Sequence, residues 1–213
     1  MSLVAALQPG MLVVDVGANL GSMTTQYQQA GAEVWAIEPD PRCWRDLSQF
    51  VDAQHLLGLA LGDHEGVALL HRSEQAAHNS LAEANVLDPG TASLHVPLST
   101  LDALQAQGRL PARIDAVKID AQGSEVAILR GAAHLLRTQA PIWYVEIWAQ
   151  GLAKAGASVE SLCAVFQDAG YVPDSYAGGR GGGFTELTWD VVCAMAHAAT
   201  GHGSIDVLIR KAA

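Results

Sequence analysis

The chain has 213 residues, half of them hydrophobic, and a formal net charge of −10. That length suits one α/β domain with a full core, and the acidic balance disfavours DNA or RNA, which basic surfaces usually meet. No apolar run approaches the roughly 18 residues of a membrane span, and MSLVAALQPG lacks the basic and long apolar regions of a signal peptide, so the expected setting is cytoplasmic, with neither membrane nor nucleic acid as a partner.

In chain order, Met11–Val16 is apolar and β-branched, the signal of a buried strand. Ser22–Ala30 reads as a helix stopped by Gly31, and Glu33–Ile37 as a second strand. Pro41–Phe50 has the proline that suits a first helical turn, and His55–Leu61 reads as a third strand. The stretch 62–100 is less regular, with Val67–His71 and Ser93–Leu98 as strands of a small antiparallel addition. Ser99–Gln107 is a capped helix, Ala116–Ile119 a short buried strand, and Ser124–Arg137 a helix interrupted at Gly131. Ile142–Ile147 is a strand, Ser158–Ala169 a helix ended by Gly170, and Ser204–Arg210 a last strand. This alternation predicts an α/β domain over residues 1–213 with a mostly parallel sheet and helices on both faces. Its cofactor half spans about 11–120, and its acceptor-side segments are about 62–98 and 172–202. Within the latter, the run Ala177–Gly183 is a loop or a flap over a substrate pocket. Cys43, Cys163 and Cys193 lie far apart with no CxxC, which argues against a disulfide framework and a zinc site.

The sharpest local signal is VVDVGANLG, Val13–Gly21. A buried strand runs into a glycine turn and then a helix, where open α/β sheets bind ligands. Gly17 and Gly21, lacking Cβ, let the backbone turn sharply and a ligand come close. The spacing G-x-x-x-G lacks the middle glycine of the dinucleotide fingerprint, and Asp15 stands just ahead of it. An acidic residue there suits a cation better than a pyrophosphate. S-adenosyl-L-methionine carries an ammonium and a sulfonium and no phosphate, so it is the expected cofactor, with Asp15, Gly17, Asn19 and Gly21 around it. Glu38 ends the second strand 17 positions after Gly21 and is placed to accept from both ribose hydroxyls. Leu61 and Asp63, in LGD at the end of the third strand, are expected beside the adenine, with Asp63 accepting from its exocyclic amine.

With a later block, these residues resemble the FkbM family of S-adenosylmethionine-dependent methyltransferases. The block is IDAVKIDAQGSEVAILRGA, Ile114–Ala132: a Lys-Ile-Asp strand end, an acidic turn and a Leu-x-Gly-Ala helix. VPLSTLD (Val96–Asp102), HNSL (His78–Leu81) and YVEIW (Tyr144–Trp148) resemble further family segments, so the likeness runs from about Met11 to Trp148. It implies a Rossmann-like class I methyltransferase fold, a seven-stranded sheet whose last strand is antiparallel. It also implies methyl transfer, usually to oxygen, often on sugars or secondary metabolites. Gln122 stands where the family most often has Glu, so a base or a metal ligand there would have lost its charge, while an amide can still position cofactor or substrate.

For the chemistry, a hydroxyl acceptor needs alignment and a group to take its proton. Asp120, at the end of the fourth strand, is the first candidate, and it doubles with Gln122 as a cofactor contact. Glu125 in the first helical turn and Glu146 in an apolar strand are the other catalytic candidates. The three carboxylates could form a magnesium site, but no metal ligand is assigned. The histidines carry no paired motif. The expected partner is a small-molecule or peptide acceptor, and a homodimer is allowed. The alternatives are N-methylation of an amide or amine in a peptide natural product, and a non-catalytic cofactor-binding partner subunit. A nicotinamide oxidoreductase is disfavoured by the missing fingerprint and by the absence of a Tyr-x-x-x-Lys pair.

Overall fold

The computed structural model describes residues 2–86, 92–177, 187–199 and 203–212. A short helix α1 (Leu3–Ala6) precedes β1 (Leu12–Val16), α2 (Ser22–Gln29), β2 (Glu33–Ile37) and α3 (Pro41–Leu47). Then come β3 (Leu56–Leu57), β4 (Ala60–Leu61), β5 (Gly66–Leu70), β6 (Leu94–Ser99), α4 (Leu101–Ala106) and β7 (Ala116–Ile119). The chain continues through α5 (Glu125–Arg130), α6 (Ala133–Thr138), β8 (Ile142–Ile147), α7 (Ala149–Lys154) and α8 (Val159–Asp168). It closes with β9 (Tyr171–Ala177), α9 (Trp189–Ala198) and β10 (Ile205–Lys211).

Seven strands form one sheet in the order β3-β2-β1-β7-β8-β10-β9. The first five run parallel, and β10 is antiparallel to both β8 and β9. Parallel strands covered on both faces read as continuous apolar runs, because alternate side chains enter two different cores. Val14, Val16, Val117, Ile119, Val145 and Ile147 face one core, under the helices that follow β7 and β8. Val13, Val34, Ala116 and Tyr144 face the other, with Leu3 and Tyr27. Phe166 stacks on Trp189 and meets Trp143 and Tyr171 edge-on, which fixes α8 and α9 against the sheet.

Several expected boundaries move. The third strand expected over His55–Leu61 is two strands in two sheets. Leu57 is still paired to β2, but the Leu59 N–H returns to the Leu57 carbonyl (3.1 Å), and this tight turn sends the chain out of the main sheet. Ala60 and Leu61 then pair in parallel with β6, whose other edge holds β5 antiparallel. The irregular middle is therefore a three-stranded sheet, β4-β6-β5. The helix expected over Ser124–Arg137 is two, α5 and α6, divided at Gly131 and Ala132. Strand β9 and helices α7 and α9 have no counterpart in the sequence reading. The glycine run Ala177–Gly183 lies outside the described residues beyond Ala177. Two cysteines distant in sequence meet: Cys163 Sγ and Cys193 Sγ are 3.5 Å apart, and both are free thiols. Among the described residues, no helix is long and apolar enough to cross a membrane.

Candidate active site

A cleft of about 650 Å³, open to solvent, lies at the carboxyl ends of β1, β2 and β7. Of the residues expected to form the site, Gly17, Asn19, Glu38, Leu61, Asp120 and Gln122 line it. Asp15, Gly21, Asp63, Glu125 and Glu146 do not, and each has another employment.

Asp15 is fully buried below the cleft. It accepts from Thr24 Oγ1 (2.6 Å) and pairs with Lys118 Nζ (3.3 Å), its register neighbour on β7. Its charge is neutralised inside the protein, so the argument for a cationic ligand does not rest on it. Lys118 also donates to the carbonyls of Gly17 (2.8 Å) and Val16 (3.2 Å), and lies 3.6 Å from Asp120 Oδ2. Burial works against the ammonium, but Asp15 and Asp120 outweigh it and hold its pKa above the ordinary value. One buried cation thus ties the glycine turn to the end of β7.

The two glycines of the turn answer to the protein rather than to a ligand. Gly17 is left-handed (φ 72°), and a Cβ there would overlap the Asp120 carbonyl. Gly21 is left-handed (φ 85°) at the N-cap of α2, where a Cβ would overlap the Phe50 ring. Asp63 points away, half-exposed, with His64 Nδ1 2.7 Å from its carboxylate. The adenine assignment at Asp63 is therefore withdrawn on geometry. The apolar lining falls instead to Leu59, Leu61, Leu70, Ala76, Ala77 and Ile128.

Glu38 is buried, and each carboxylate oxygen accepts one backbone N–H: Oε1 from Asp40 (2.8 Å), Oε2 from Asn19 (2.9 Å). Each oxygen keeps a second acceptor site, so two hydroxyls can still be received. Burial pushes its pKa up to about 7, against the lowering effect of those two N–H groups.

Asp120 opens into the cleft, with 38 % of its side chain exposed. Burial disfavours its charge, but Lys118, Glu146 and Gln122 outweigh it and hold its pKa below the usual carboxylate value. Glu146 on β8 behaves oppositely: burial first, then the Asp120 charge, push it up to about 8. Gln122 sits between them, its Nε2 3.0 Å from Asp120 Oδ1 and 3.0 Å from Glu146 Oε2. Glu125 is buried at the start of α5, where its Oε1 accepts from Ala121 N (3.0 Å) and Gly123 N (3.1 Å). It shapes the turn and does not reach the cleft. Burial pushes it up to about 7. Among the described residues, no cluster of three or more His, Cys, Asp or Glu is arranged to hold a metal.

The sequence reading gave no site role to Lys118, Asn85 or Ser204. Asn85 donates to the carbonyls of Gln122 (2.8 Å) and Gly151 (3.0 Å), and Ser204 Oγ donates to Glu146 Oε1 (2.8 Å). Lys118 was findable as a lysine inside a buried strand, whereas the other two carry no pattern.

The cleft has two carboxylates and, among the described residues that line it, no Lys, Arg or His. Such a wall repels phosphate and accepts a cation beside hydroxyls. Its apolar side suits a flat heteroaromatic ring. S-adenosylmethionine fits this donor set, and Glu38, Gly17, Asn19 and Asp120 all line the cleft that would hold it. The strand order and this site define a class I S-adenosylmethionine-dependent methyltransferase domain. The family model of the methyltransferase FkbM domain matches residues 15–173, and the chain belongs to that family.

Solved structures share the fold at low identity. Methyltransferase FkbM from Methylobacillus flagellatus KT superposes with a TM-score of 0.53 at 14% identity, covering 94% of this chain and 44% of that one. The chain therefore spans less than half the length of that relative. An rRNA methylase from Streptococcus thermophilus gives 0.52 at 12%, covering 99% and 92%. The 1,6-didemethyltoxoflavin-N1-methyltransferase of Burkholderia thailandensis, solved with its substrate and S-adenosylhomocysteine, gives 0.50 at 13%, covering 99% and 75%. No curated protein matches the chain.

Proposed function

We propose that the protein methylates a hydroxyl group of a small molecule, a sugar or a secondary metabolite. The observation that carries this reading is the Asp120 carboxylate, open to the cleft and 3.6 Å from Lys118 Nζ, whose charge favours the ionised form. When bound, S-adenosylmethionine supplies a methyl group already activated by the sulfonium charge. Asp120 accepts a hydrogen bond from the acceptor hydroxyl and aligns its oxygen. As that oxygen gains carbon it becomes strongly acidic, so even a weakly basic carboxylate takes its proton.

The same carboxylate is ill-suited to nitrogen. An amine beside an anion is favoured as its ammonium, which has no lone pair to give. An amide nitrogen needs a stronger base than a carboxylate whose pKa is held down. The acidic lining also disfavours nucleic acid as the acceptor.

The test is methyl transfer from labelled donor to a panel of sugars, polyketides and peptides. Label on a hydroxyl oxygen supports the reading; label confined to amine or amide nitrogen overturns it. Titration with S-adenosylhomocysteine by calorimetry tests the cofactor site, and binding without any label transfer across the panel would favour a non-catalytic cofactor-binding subunit.

A further inference from the structure

Gln122 is held in a conformation its own backbone does not favour. Its φ is 50°, the left-handed region, which is strained for a residue with a side chain. Two side chains fix its carbonyl: Ser80 Oγ and Asn85 Nδ2 each donate to it at 2.8 Å. The strained backbone sends its amide nitrogen between two carboxyls, Asp120 just past the end of β7 and Glu146 on the adjacent parallel strand β8. That nitrogen has two protons, and two acceptors stand at 3.0 Å, Asp120 Oδ1 and Glu146 Oε2. On the far side of Glu146, Ser204 Oγ donates at 2.8 Å. Backbone strain maintained by neighbouring side chains marks a position selected for where it puts its side chain.

We propose that Gln122 is a positioning residue: its amide clips Asp120 to Glu146, so that the two carboxyls share one proton and Asp120 keeps an ionised oxygen facing the acceptor. This rests on the reading of Asp120 as the proton acceptor. Two bare carboxylates held to one amide nitrogen would repel, and one would take a proton wherever the local field allowed. The charges around the clip decide which. Lys118 on β7 faces Asp120 and favours its charge; Asp15 on β1 balances that lysine. Glu125 from α5 adds negative field at Glu146, and Asp206 on β10, held to Tyr144, is disfavoured as an anion by burial and by Asp120. Tyr27 from α2 stays neutral. The opposite directions of the two acids, Asp120 down and Glu146 up to about 8, agree with one proton held on Glu146 at neutral pH. As the acceptor proton reaches Asp120, the clipped pair holds it within a hydrogen-bonded unit.

The experiment is a carboxyl ¹³C NMR titration of the whole cofactor-free chain, with Glu146→Gln assigning the resonance. In the native protein Glu146 is expected to titrate near 8. Gln122→Met keeps the shape and the backbone carbonyl but removes both donors, and should raise the Asp120 midpoint by about one pH unit. Gln122→Glu puts a third carboxyl against two, and should bind an additional proton with a midpoint above about 6. Unmoved midpoints in the Met variant, or three carboxyls titrating near their ordinary values in the Glu variant, would overturn the clip. The titration needs neither donor nor acceptor. It therefore fails separately from the methyltransferase reading, which stands or falls on S-adenosylhomocysteine binding and label transfer.

Discussion

The floor of the cleft, at the ends of β1, β2 and β7, and the segment 71–86 that closes one side of it are held in different ways. The floor is a parallel ladder with apolar side chains entering cores on both faces, and Lys118 cross-ties it from within. Segment 71–86 has two single-turn 3-10 helices and few buried apolar groups. It is moored at one end by Arg42 to the Ser73 carbonyl (3.0 Å) and by Asn79 to Asp40 (2.7 Å), and at the other by Ser80 and Asn85 to Gln122. Packing makes the floor rigid; a handful of hydrogen bonds positions the flank. Regions of the second kind open at lower free energy, as the entry path of a ligand requires.

The largest expected effect is chemical and falls on the floor. Asp120→Asn keeps the shape and removes the charge, so turnover should drop roughly 100-fold or more. Affinity for S-adenosylhomocysteine should change far less. Equal losses in both would reassign Asp120 to cofactor binding. Next comes rigidity. Gly17→Ala drives a Cβ into the Asp120 carbonyl at φ 72°, and should destabilise the chain by about 3 kcal/mol or more in urea melts. A loss under about 1 kcal/mol would show a floor that shifts as freely as the flank.

A pH effect should also belong to the floor. Burial raises Glu125 from an ordinary carboxyl value to about 7. Between about pH 4.5 and 7 the folded state then binds more protons than the unfolded one, so stability falls as pH rises through that window. Glu38, raised to about 7, adds to the same slope. Glu125→Gln keeps an acceptor for Ala121 and Gly123 and removes the ionisation. It should flatten the slope and add about 3 kcal/mol at pH 8, since the rise from 4.5 to about 7 is worth about 1.4 kcal/mol per pKa unit. An unchanged melting profile between pH 5 and 8 would refute the assignment. Glu38→Ala comes next: it should weaken S-adenosylhomocysteine binding by about 1–3 kcal/mol, the scale for hydrogen bonds to a charged group. Unchanged affinity would remove Glu38 from the ribose site.

The same contrast decided what could be read from sequence. Strands β1, β2, β7 and β8 were legible because burial on both faces writes itself as an unbroken apolar run. Strand β9 was not, because Pro173 interrupts its pattern near the sheet edge. The turn that splits β3 from β4 depends on one backbone hydrogen bond, which leaves no periodicity. Spacing put Glu38 and the glycine turn at one end of the sheet, the family block put Asp120 there, and the cleft lies at that end. Asp15 and Asp63 were misread for one reason: spacing places a carboxylate at a strand end but does not say whether it faces the cleft, the core or water. Asp15 turns inward to Lys118, and Asp63 turns outward to His64. The moorings of 71–86 join residues 31 to 66 positions apart, beyond any local pattern.

The smallest predicted effect tests the flank alone. Asn85 is buried, and its amide nitrogen serves two carbonyls, Gln122 and Gly151, while its Oδ1 has no hydrogen-bond partner among the described residues. Asn85→Ala loses two hydrogen bonds but also removes an unsatisfied buried acceptor, so the two terms offset in part. The net cost should be about 1 kcal/mol rather than the 2–3 expected for losing both bonds outright. Amide hydrogen exchange should speed up across 79–86 and stay slow in β1 and β7. Because Asn85 and Ser80 hold the strained Gln122 carbonyl together, the cofactor's dissociation should quicken more than its equilibrium affinity falls. If exchange accelerated in β1 and β7 to the same degree, floor and flank would be one cooperative unit, and the distinction between packing and mooring would fail.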